Sequence, residues 1–280
     1  MNRKITAMYF SPTGTTQKIV YEMAKNISEK LNGDTNISVA DFTLPNGRRQ
    51  LLSFTERDVV VIGVPVYAGR VPNVLLPYLN SLTGDGALTI AVVVYGNRNY
   101  DDALIELTDI LNSKGYRVVA GGAFIGEHSF SKKLAQGRPD DKDMAIAHEF
   151  AKRVSEKILN QEKVELASIK GDRPYRKYYM PKNKNGEPVD IRKVTPKTSH
   201  ACIHCKLCVT VCPMGSIDSE DVSKIQGICI KCGACSKKCP VQAKYYDDEN
   251  YLRHKYELEV DFARRKEPEV FGLNGTIPIL

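Results

Sequence analysis

The cysteine repeat of this chain reads CIHCKLCVTVCP at residues 202–213 and CIKCGACSKKCP at residues 229–240. Each segment has the spacing C-x2-C-x2-C-x3-C-P, so the same pattern occurs twice. All eight cysteines of the 280-residue chain lie within these two segments. The thiols therefore serve one local site and do not cross-link the whole fold.

This repeat resembles the cysteine pattern of bacterial ferredoxins that hold two 4Fe-4S clusters. Three closely spaced thiolates bind three corners of one cubane, and the fourth ligand comes from elsewhere. The resemblance implies that the fourth cysteine of each segment ligates the cluster of the other segment. The implied ligand sets are Cys202, Cys205, Cys208 and Cys239 for one cluster and Cys229, Cys232, Cys235 and Cys212 for the other.

Two other uses of the cysteines remain open from the pattern. Four of the thiols match the spacing of a zinc ribbon, but that reading leaves the other four and the repeat unexplained. A disulfide framework needs an oxidising compartment. Because residues 1–4 lead into a short strand-like segment and no apolar run approaches 18 residues, we expect a cytoplasmic protein without a membrane span. The zinc reading uses Cys205, Cys208, Cys229 and Cys232.

Up to about residue 165, short apolar runs alternate with segments of helical periodicity. This alternation predicts an α/β domain in which helices cover both faces of a parallel sheet. We predict five βα units, with a first helix over Thr15–Leu31 that the Asn32-Gly33 pair ends. The predicted strands are Ile5–Phe10, Ile37–Phe42, Asp58–Val64, Leu88–Tyr95 and Arg117–Ile125.

A candidate phosphate site lies between the first predicted strand and helix, where residues 11–16 read SPTGTT. A loop at a helix N-terminus offers backbone N–H groups and the positive end of the helix dipole to an anion. The loop contains no basic residue, and neither nucleotide motif G-x-x-x-x-G-K-[ST] nor G-x-G-x-x-G occurs there. These absences argue against a nucleoside triphosphate or a Rossmann dinucleotide.

The SPTGTT segment resembles the phosphate loop of flavodoxins, and the five βα units match their doubly wound sheet, in the order 2-1-3-4-5. Residues 65–70, PVYAGR, and 95–101, YGNRNYD, resemble the flavin loops after the third and fourth strands. The resemblance implies bound FMN with Tyr67 or Tyr100 against its ring. The implied FMN-binding residues are Ser11, Thr13, Gly14, Thr15, Thr16, Pro65, Val66, Tyr67, Ala68, Gly69, Tyr95, Gly96, Asn97, Arg98, Tyr100 and Asp101.

Three side chains near these loops have two possible roles each. Arg70 and Arg98 are candidates to stabilise an anionic reduced flavin, or they are solvated loop charges. His128, after the fifth strand, is a candidate site wall or proton relay, or it is structural.

Composition shifts divide the chain into four regions. We predict a flavodoxin-like domain over 1–165, a basic linker over 166–198, a small α+β ferredoxin-like domain over 199–248, and a C-terminal helix and tail over 249–280. Residues 166–200 hold nine Lys or Arg against three Asp or Glu, without a nucleic-acid motif. The terminal helix is predicted over 250–265, and its apolar face would comprise Leu252, Tyr256, Leu258 and Phe262.

The whole chain resembles flavodoxin-ferredoxin fusion proteins, although its net charge of +7 contrasts with the acidity common in flavodoxins. The resemblance implies electron transfer between two 4Fe-4S clusters and FMN, with redox proteins as partners and neither nucleic acid nor membrane. An FMN-dependent reductase of a small substrate, fed by the clusters, is the alternative. A third possibility is a binding module with purely structural clusters.

Overall fold

The N-terminal half forms a doubly wound α/β sheet. The computed structural model describes residues 3–160 and 164–273, so the final part of the expected C-terminal tail, 274–280, lies outside the described residues. The five parallel strands run in the order β2-β1-β3-β4-β5, which is the flavodoxin-like order predicted from the sequence. Their bounds are β1 Lys4–Tyr9, β2 Ser38–Asp41, β3 Asp58–Pro65, β4 Leu88–Tyr95 and β5 Arg117–Ile125.

Helices cover both faces of this sheet because each carries an apolar stripe. One hydrophobic layer contains buried residues of α1 (Thr15–Asn32) and α4 (Asp141–Asn160). The opposite layer contains buried residues of α2 (Leu76–Asn80) and α3 (Ala103–Ser113). The prediction of a second βα helix was wrong, since only a short 3₁₀ turn, Pro45–Arg48, follows β2.

The cysteine module is a small fold with two similar halves. β6 (Lys197–Thr198) pairs antiparallel with β7 (Lys244–Tyr245), so two residues assigned to the linker pair with the module. Between these strands lie two short helices, α5 (Leu207–Thr210) and α6 (Ala234–Lys237). The residues before the helices occupy equivalent positions in the repeat, and both have left-handed backbones: φ is 57° at Lys206 and 77° at Gly233.

The C-terminal segment returns to the first domain. Asp248 caps α7 (Glu249–Asp261), whose buried face consists of Tyr251, His254 and Leu258. The predicted apolar face was therefore wrong in part, because Leu252 and Tyr256 are exposed. β8 (Glu269–Phe271) then pairs antiparallel with β5, which makes a sheet of six strands where five were predicted. No helix within the described ranges has the length and hydrophobicity needed to traverse a bilayer.

Candidate cluster and flavin sites

A first cavity in the cysteine module, here called the inner cavity, collects cysteines from both repeats. It encloses about 360 Å³, part of which is open to solvent. Three of its cysteines belong to the second repeat, and Cys212 reaches it from the first. The cysteines that line the inner cavity are Cys212, Cys229, Cys232 and Cys235.

A second cavity of similar size, here called the outer cavity, encloses about 340 Å³ and collects the remaining four cysteines. Here Cys239 of the second repeat joins three cysteines of the first. The fold therefore groups the eight thiols into the two sets that the ferredoxin resemblance implies, and four thiols around each cavity fit a 4Fe-4S cubane. The cysteines that line the outer cavity are Cys202, Cys205, Cys208 and Cys239.

The arrangement of the sulfurs does not suit a single metal ion. Among residues 3–160 and 164–273, no three Cys, His or carboxylate groups converge closely enough to hold one. Zinc needs its thiolates about 2.3 Å from one point. The four cysteines of the zinc reading are also divided between the cavities, since Cys205 and Cys208 line the outer one and Cys229 and Cys232 line the inner one.

The two cavities differ in exposure. Cys232 and Cys235 in the inner cavity are buried, whereas Cys205 in the outer cavity is exposed. Burial raises the pKa of Cys232 and of Cys235 to about 12. Partial burial also acts on Cys239, but backbone N–H groups outweigh it and lower the pKa of that thiol. The N–H of Ala243, 3.2 Å from the Cys239 sulfur, is one of them.

The SPTGTT loop has the properties of an anion site. Its backbone turns at Gly14, where φ is 92° and no atom lies within 4 Å of the position that a Cβ would take. The Ser11 Oγ already accepts a hydrogen bond from the Gln17 N–H at 2.9 Å. Within the described part of the chain, the backbone N–H groups of Thr13, Thr15 and Thr16 donate to no protein atom. These donors fit the phosphate of FMN.

The loop after β3 is a tight turn beside that site. Tyr67 and Arg70 exchange two backbone hydrogen bonds, and both intervening residues have positive φ, 53° at Ala68 and 78° at Gly69. A Cβ at Gly69 would lie 2.2 Å from a carboxylate oxygen of Asp101, in the loop after β4. The two loops are therefore packed together, as a shared flavin site requires. Pro65 is the last residue of β3, and the N–H of Val66, which follows it, donates to Val94 O at 2.8 Å.

Three of the implied flavin residues have side chains that pack in the core or bind the C-terminal segment. Tyr95 and Tyr100 are buried in the core, and the Tyr100 hydroxyl donates to Glu269 on β8. Asn97 is also buried, and its side-chain amide donates to the carbonyl oxygens of Phe262 and Arg264. These contacts leave Tyr67 as the half-buried tyrosine at the loops. The long-range partners on the C-terminal segment gave no signal in the local sequence.

The two arginine candidates have different surroundings. Arg70 forms a bidentate pair with the buried Glu106, and its guanidinium lies over the rings of Tyr175 and Tyr178. It therefore fastens the basic segment to the first domain. Arg98, in contrast, lies at the flavin loops.

Sequence reasoning missed two aromatic side chains at these loops. Tyr179, from the basic segment, donates its backbone N–H to Ala68 O at 2.9 Å, and Arg98 lies 4.6 Å from its ring centroid. His254, from α7, stacks on Tyr179 with ring centroids 5.6 Å apart. Arg98 also pairs with Asp101. Both missed residues lie more than 75 positions from the loops in sequence, so only the folded chain brings them there.

The inner cavity adjoins the same edge of the first domain. A Cβ at Gly233 would lie 2.5 Å from Ser129 O. Burial, and then the nearby sulfurs of Cys232 and Cys229, raise the pKa of the Tyr67 phenol well above its usual value. His128 lies between these regions, packed on Gly96, and burial lowers its pKa to about 3. Lys237 of α6 also pairs with Glu127 and donates to Ser131 O at 2.9 Å.

Residues 196–240 match the family model of the 4Fe-4S dicluster domain. The chain contains a dicluster iron-sulfur domain. The dicluster domain follows a flavodoxin-like region, as the sheet order shows. A comparison with curated proteins gave no match.

Two flavodoxins stand among the similar solved structures. Oxidised flavodoxin 1 from Bacillus cereus is 20% identical with a TM-score of 0.41, over 53% of this chain and 95% of that chain. The flavodoxin of Streptococcus pneumoniae TIGR4 is 17% identical with a TM-score of 0.37, over 54% of this chain and 97% of that chain.

Proposed function

We propose that this protein is an electron carrier that holds two 4Fe-4S clusters and FMN and passes electrons between them. FMN accepts one or two electrons, whereas each cluster transfers one, so the pair couples one-electron to two-electron chemistry. The observation that carries the proposal is the contact between the inner cavity and the loop after β5, at the edge of the sheet where the flavin loops lie. A Cβ at Gly233 would lie 2.5 Å from Ser129 O, and Lys237 pairs with Glu127 of the same loop.

In this proposal the phosphate of FMN binds the N–H groups of Thr13, Thr15 and Thr16. The polar loop without basic side chains suits the single phosphate of FMN. The isoalloxazine ring of FMN lies at the turn of Ala68 and Gly69, where Tyr67 supplies an aromatic surface. Both arginines are paired with a carboxylate, Arg70 with the buried Glu106 and Arg98 with Asp101. Arg98 is the better candidate to stabilise an anionic reduced ring, because it belongs to the loop after β4, whereas Arg70 is packed against the basic segment.

The outer cavity serves the external partner, which we propose to be a redox protein. Cys205 is exposed there, whereas the thiols of the inner cavity are buried or half-buried. Electrons then pass through the outer and inner cavities in turn. Cys232 and Cys235 are buried, and burial of the ligands is one of the factors that set a cluster's potential.

Anaerobically purified protein tests this function. We expect about eight irons, about eight sulfides and one FMN per chain, with absorption from both cofactor types. In rapid mixing with a reduced ferredoxin, cluster absorbance should bleach before flavin absorbance. A preparation that folds with zinc, or with iron but no affinity for FMN, would contradict the proposal. Rapid oxidation of NAD(P)H with a small acceptor and no protein donor would indicate the reductase instead.

A further inference from the structure

The cysteine module buries a lysine where the other half of the repeat has an isoleucine. The fifth residue after the last cysteine is Ile217 in the first segment and Lys244 in the second. In each half, the N–H of the preceding residue donates to the sulfur of that cysteine, at 3.4 Å in the first and 3.2 Å in the second. The two positions are therefore equivalent, and both are buried, since Ile217 is 6% and Lys244 3% exposed. The fold accepts an apolar side chain at this position and does not itself require a lysine.

The ammonium group of Lys244 has no counterion in the protein. Lysine is positively charged at neutral pH, and burial of such a charge is costly unless an anion lies close to it. Lys244 Nζ donates to Val222 O, and no carboxylate of the described residues forms an ion pair with it. A backbone carbonyl satisfies a hydrogen bond but does not balance a full charge. The environment of Lys244 therefore calls for an anion that is not part of the chain.

The position of Lys244 shows where that anion lies. Lys244 lines the outer cavity, whereas the equivalent Ile217 lines the inner one. Burial raises the pKa of Cys208, an outer-cavity thiol, and the charge of Lys244 opposes that rise. The same charge acts on Cys235 of the inner cavity, where burial and the neighbouring Cys229 outweigh it. The wall of the outer cavity thus has a cation where the wall of the inner cavity has an apolar chain.

The second buried lysine of the module does not restore the symmetry. Lys231 Nζ donates to Arg192 O at 2.7 Å and to Cys229 O at 2.8 Å. Lys231 is not among the residues that line the inner cavity. Of these two buried lysines, only Lys244 lines a cluster cavity.

We propose that Lys244 is the cation of the outer cluster site and raises the reduction potential of the outer cluster above that of the inner cluster. This inference rests on the proposed function only in that both cavities hold 4Fe-4S clusters. A cubane with four thiolates is an anion and becomes more negative on reduction, so a fixed cation beside it stabilises the reduced form. The first electron that the clusters take up would therefore reside on the outer cluster, beside the external partner.

Reductive titration of the full chain with its clusters in place, followed by electron paramagnetic resonance, tests the proposal. Wild type should show two separate reduction steps, and Cys205→Ser, which removes a ligand of the outer cavity, should retain the lower one. Lys244→Ile copies the residue of the other half and should make the upper step about tenfold less favourable, a shift of about 59 mV for one electron. Lys244→Arg keeps the charge and should leave the upper step within about twofold of wild type. Iron and sulfide analysis shows which variants hold both clusters.

Two more variants separate the charge from other effects. Lys206→Met is the matched control, because Lys206 lines the same cavity but has a side chain that is 51% exposed. Water and salt screen an exposed charge, so this variant should shift the upper step less than Lys244→Ile does. Lys244→Gln keeps an N–H donor for Val222 O without the charge, and should shift the upper step as Lys244→Ile does. It carries the test if Lys244→Ile does not hold both clusters.

The inference is overturned if the neutral variants leave the upper step within about twofold of wild type, or if Lys244→Arg shifts it as much as they do. A single wild-type step for both clusters would also overturn it. Loss of a cluster from Lys244→Ile and Lys244→Gln alike would assign Lys244 a structural role instead. Protein that holds both clusters but binds no FMN would contradict the proposed function and leave this inference standing, because the titration needs only the clusters.

Discussion

The inner and outer cavities come from nearly the same sequence but have different surroundings. Each repeat supplies three thiols to one cavity and one thiol to the other. Yet the inner cavity contains the buried Cys232 and Cys235, and the outer cavity contains the exposed Cys205. The difference arises from packing against the first domain, because the repeat alone would make the cavities alike. Two clusters of the same type would therefore have different roles: the inner one would exchange electrons with the flavin, and the outer one with an external partner.

The two halves of the repeat differ at one position in a way that reflects the unequal surroundings of the cavities. The residue after the second cysteine is Lys206 in the first half and Gly233 in the second. Both have left-handed backbones, so conformation alone does not demand glycine. Glycine is needed at position 233 because Ser129 O lies 2.5 Å from where a Cβ would be. The domain contact, and not the cluster fold, selects the residue.

The largest expected effect comes from breaking one cavity at a time. Cys232→Ser should remove about half of the iron and abolish the rapid bleaching of flavin by the external donor. Cys205→Ser should also reduce the iron, but the inner cavity should still deliver electrons from a small chemical reductant to FMN. Iron analysis and stopped-flow absorbance measure both. Equal flavin bleaching in the two variants would show that the cavities are interchangeable.

A smaller effect is expected at the contact between Gly233 and Ser129. Gly233→Ala places a methyl group against the backbone of Ser129, at a residue whose own backbone is left-handed. It should lower stability by about 3 kcal/mol. Gly215→Ala is the control, since Gly215 also has a positive φ, but its nearest neighbour to a Cβ is Pro45 Cγ at 3.6 Å. That control should lose about 1 kcal/mol. Thermal midpoints and the rate of flavin reduction check the difference, and similar losses would place the strain in the backbone alone.

The ion pairs at the two sides should also differ. Lys237→Met leaves Glu127 without its cation at the partly buried domain contact, and we expect a loss of about 2 kcal/mol. Lys206→Met removes a cation 3.8 Å from Glu220, where both side chains are at least half exposed, and should cost under about 1 kcal/mol. Differential scanning calorimetry at one scan rate compares the variants. A larger loss of stability in Lys206→Met than in Lys237→Met would contradict the expected difference between the two ion pairs.

A further effect concerns pH. The pKa of His254 is about 4 in the folded chain and 6.5 as the ordinary value, so the unfolded state binds the proton first as pH falls. Stability is fully present above pH 6.5 and should decline toward pH 4, by at most about 1.4 kcal/mol per pH unit. In His254→Phe the thermal midpoint should depend less on pH between pH 5 and 6.5, a range above the titration of most carboxylates. His200→Gln, at an exposed site, is the control; an unchanged slope in His254→Phe would contradict the assignment.

Local patterns predicted the sheet and the cysteine module because their signals lie within short segments. Every parallel strand was predicted within one residue of its ends, since Val- and Ile-rich runs such as β3 and β4 are buried on both faces. The spacing of the cysteines predicted how the fold groups them around two cavities. Both results depend on neighbours in the sequence.

The remaining features depend on contacts between distant parts of the chain. The three-residue strand β8 is too short to show a pattern and exists through its pairing with β5. The buried face of α7 was misjudged because its partner surface includes Phe130 and Tyr179 and not a uniform apolar layer. Asn97 was assigned to FMN, but its side chain binds the carbonyl groups of the C-terminal segment.

Strand β8 also has a consequence for the synthesis of the protein. The outer edge of β5 can be covered only after Glu269–Phe271 leave the ribosome, and the entire cysteine module precedes them. An uncovered strand edge is a template for pairing with other chains. Until those residues emerge, the edge of β5 is open, and the nascent flavodoxin-like region is exposed to association with other chains through that strand.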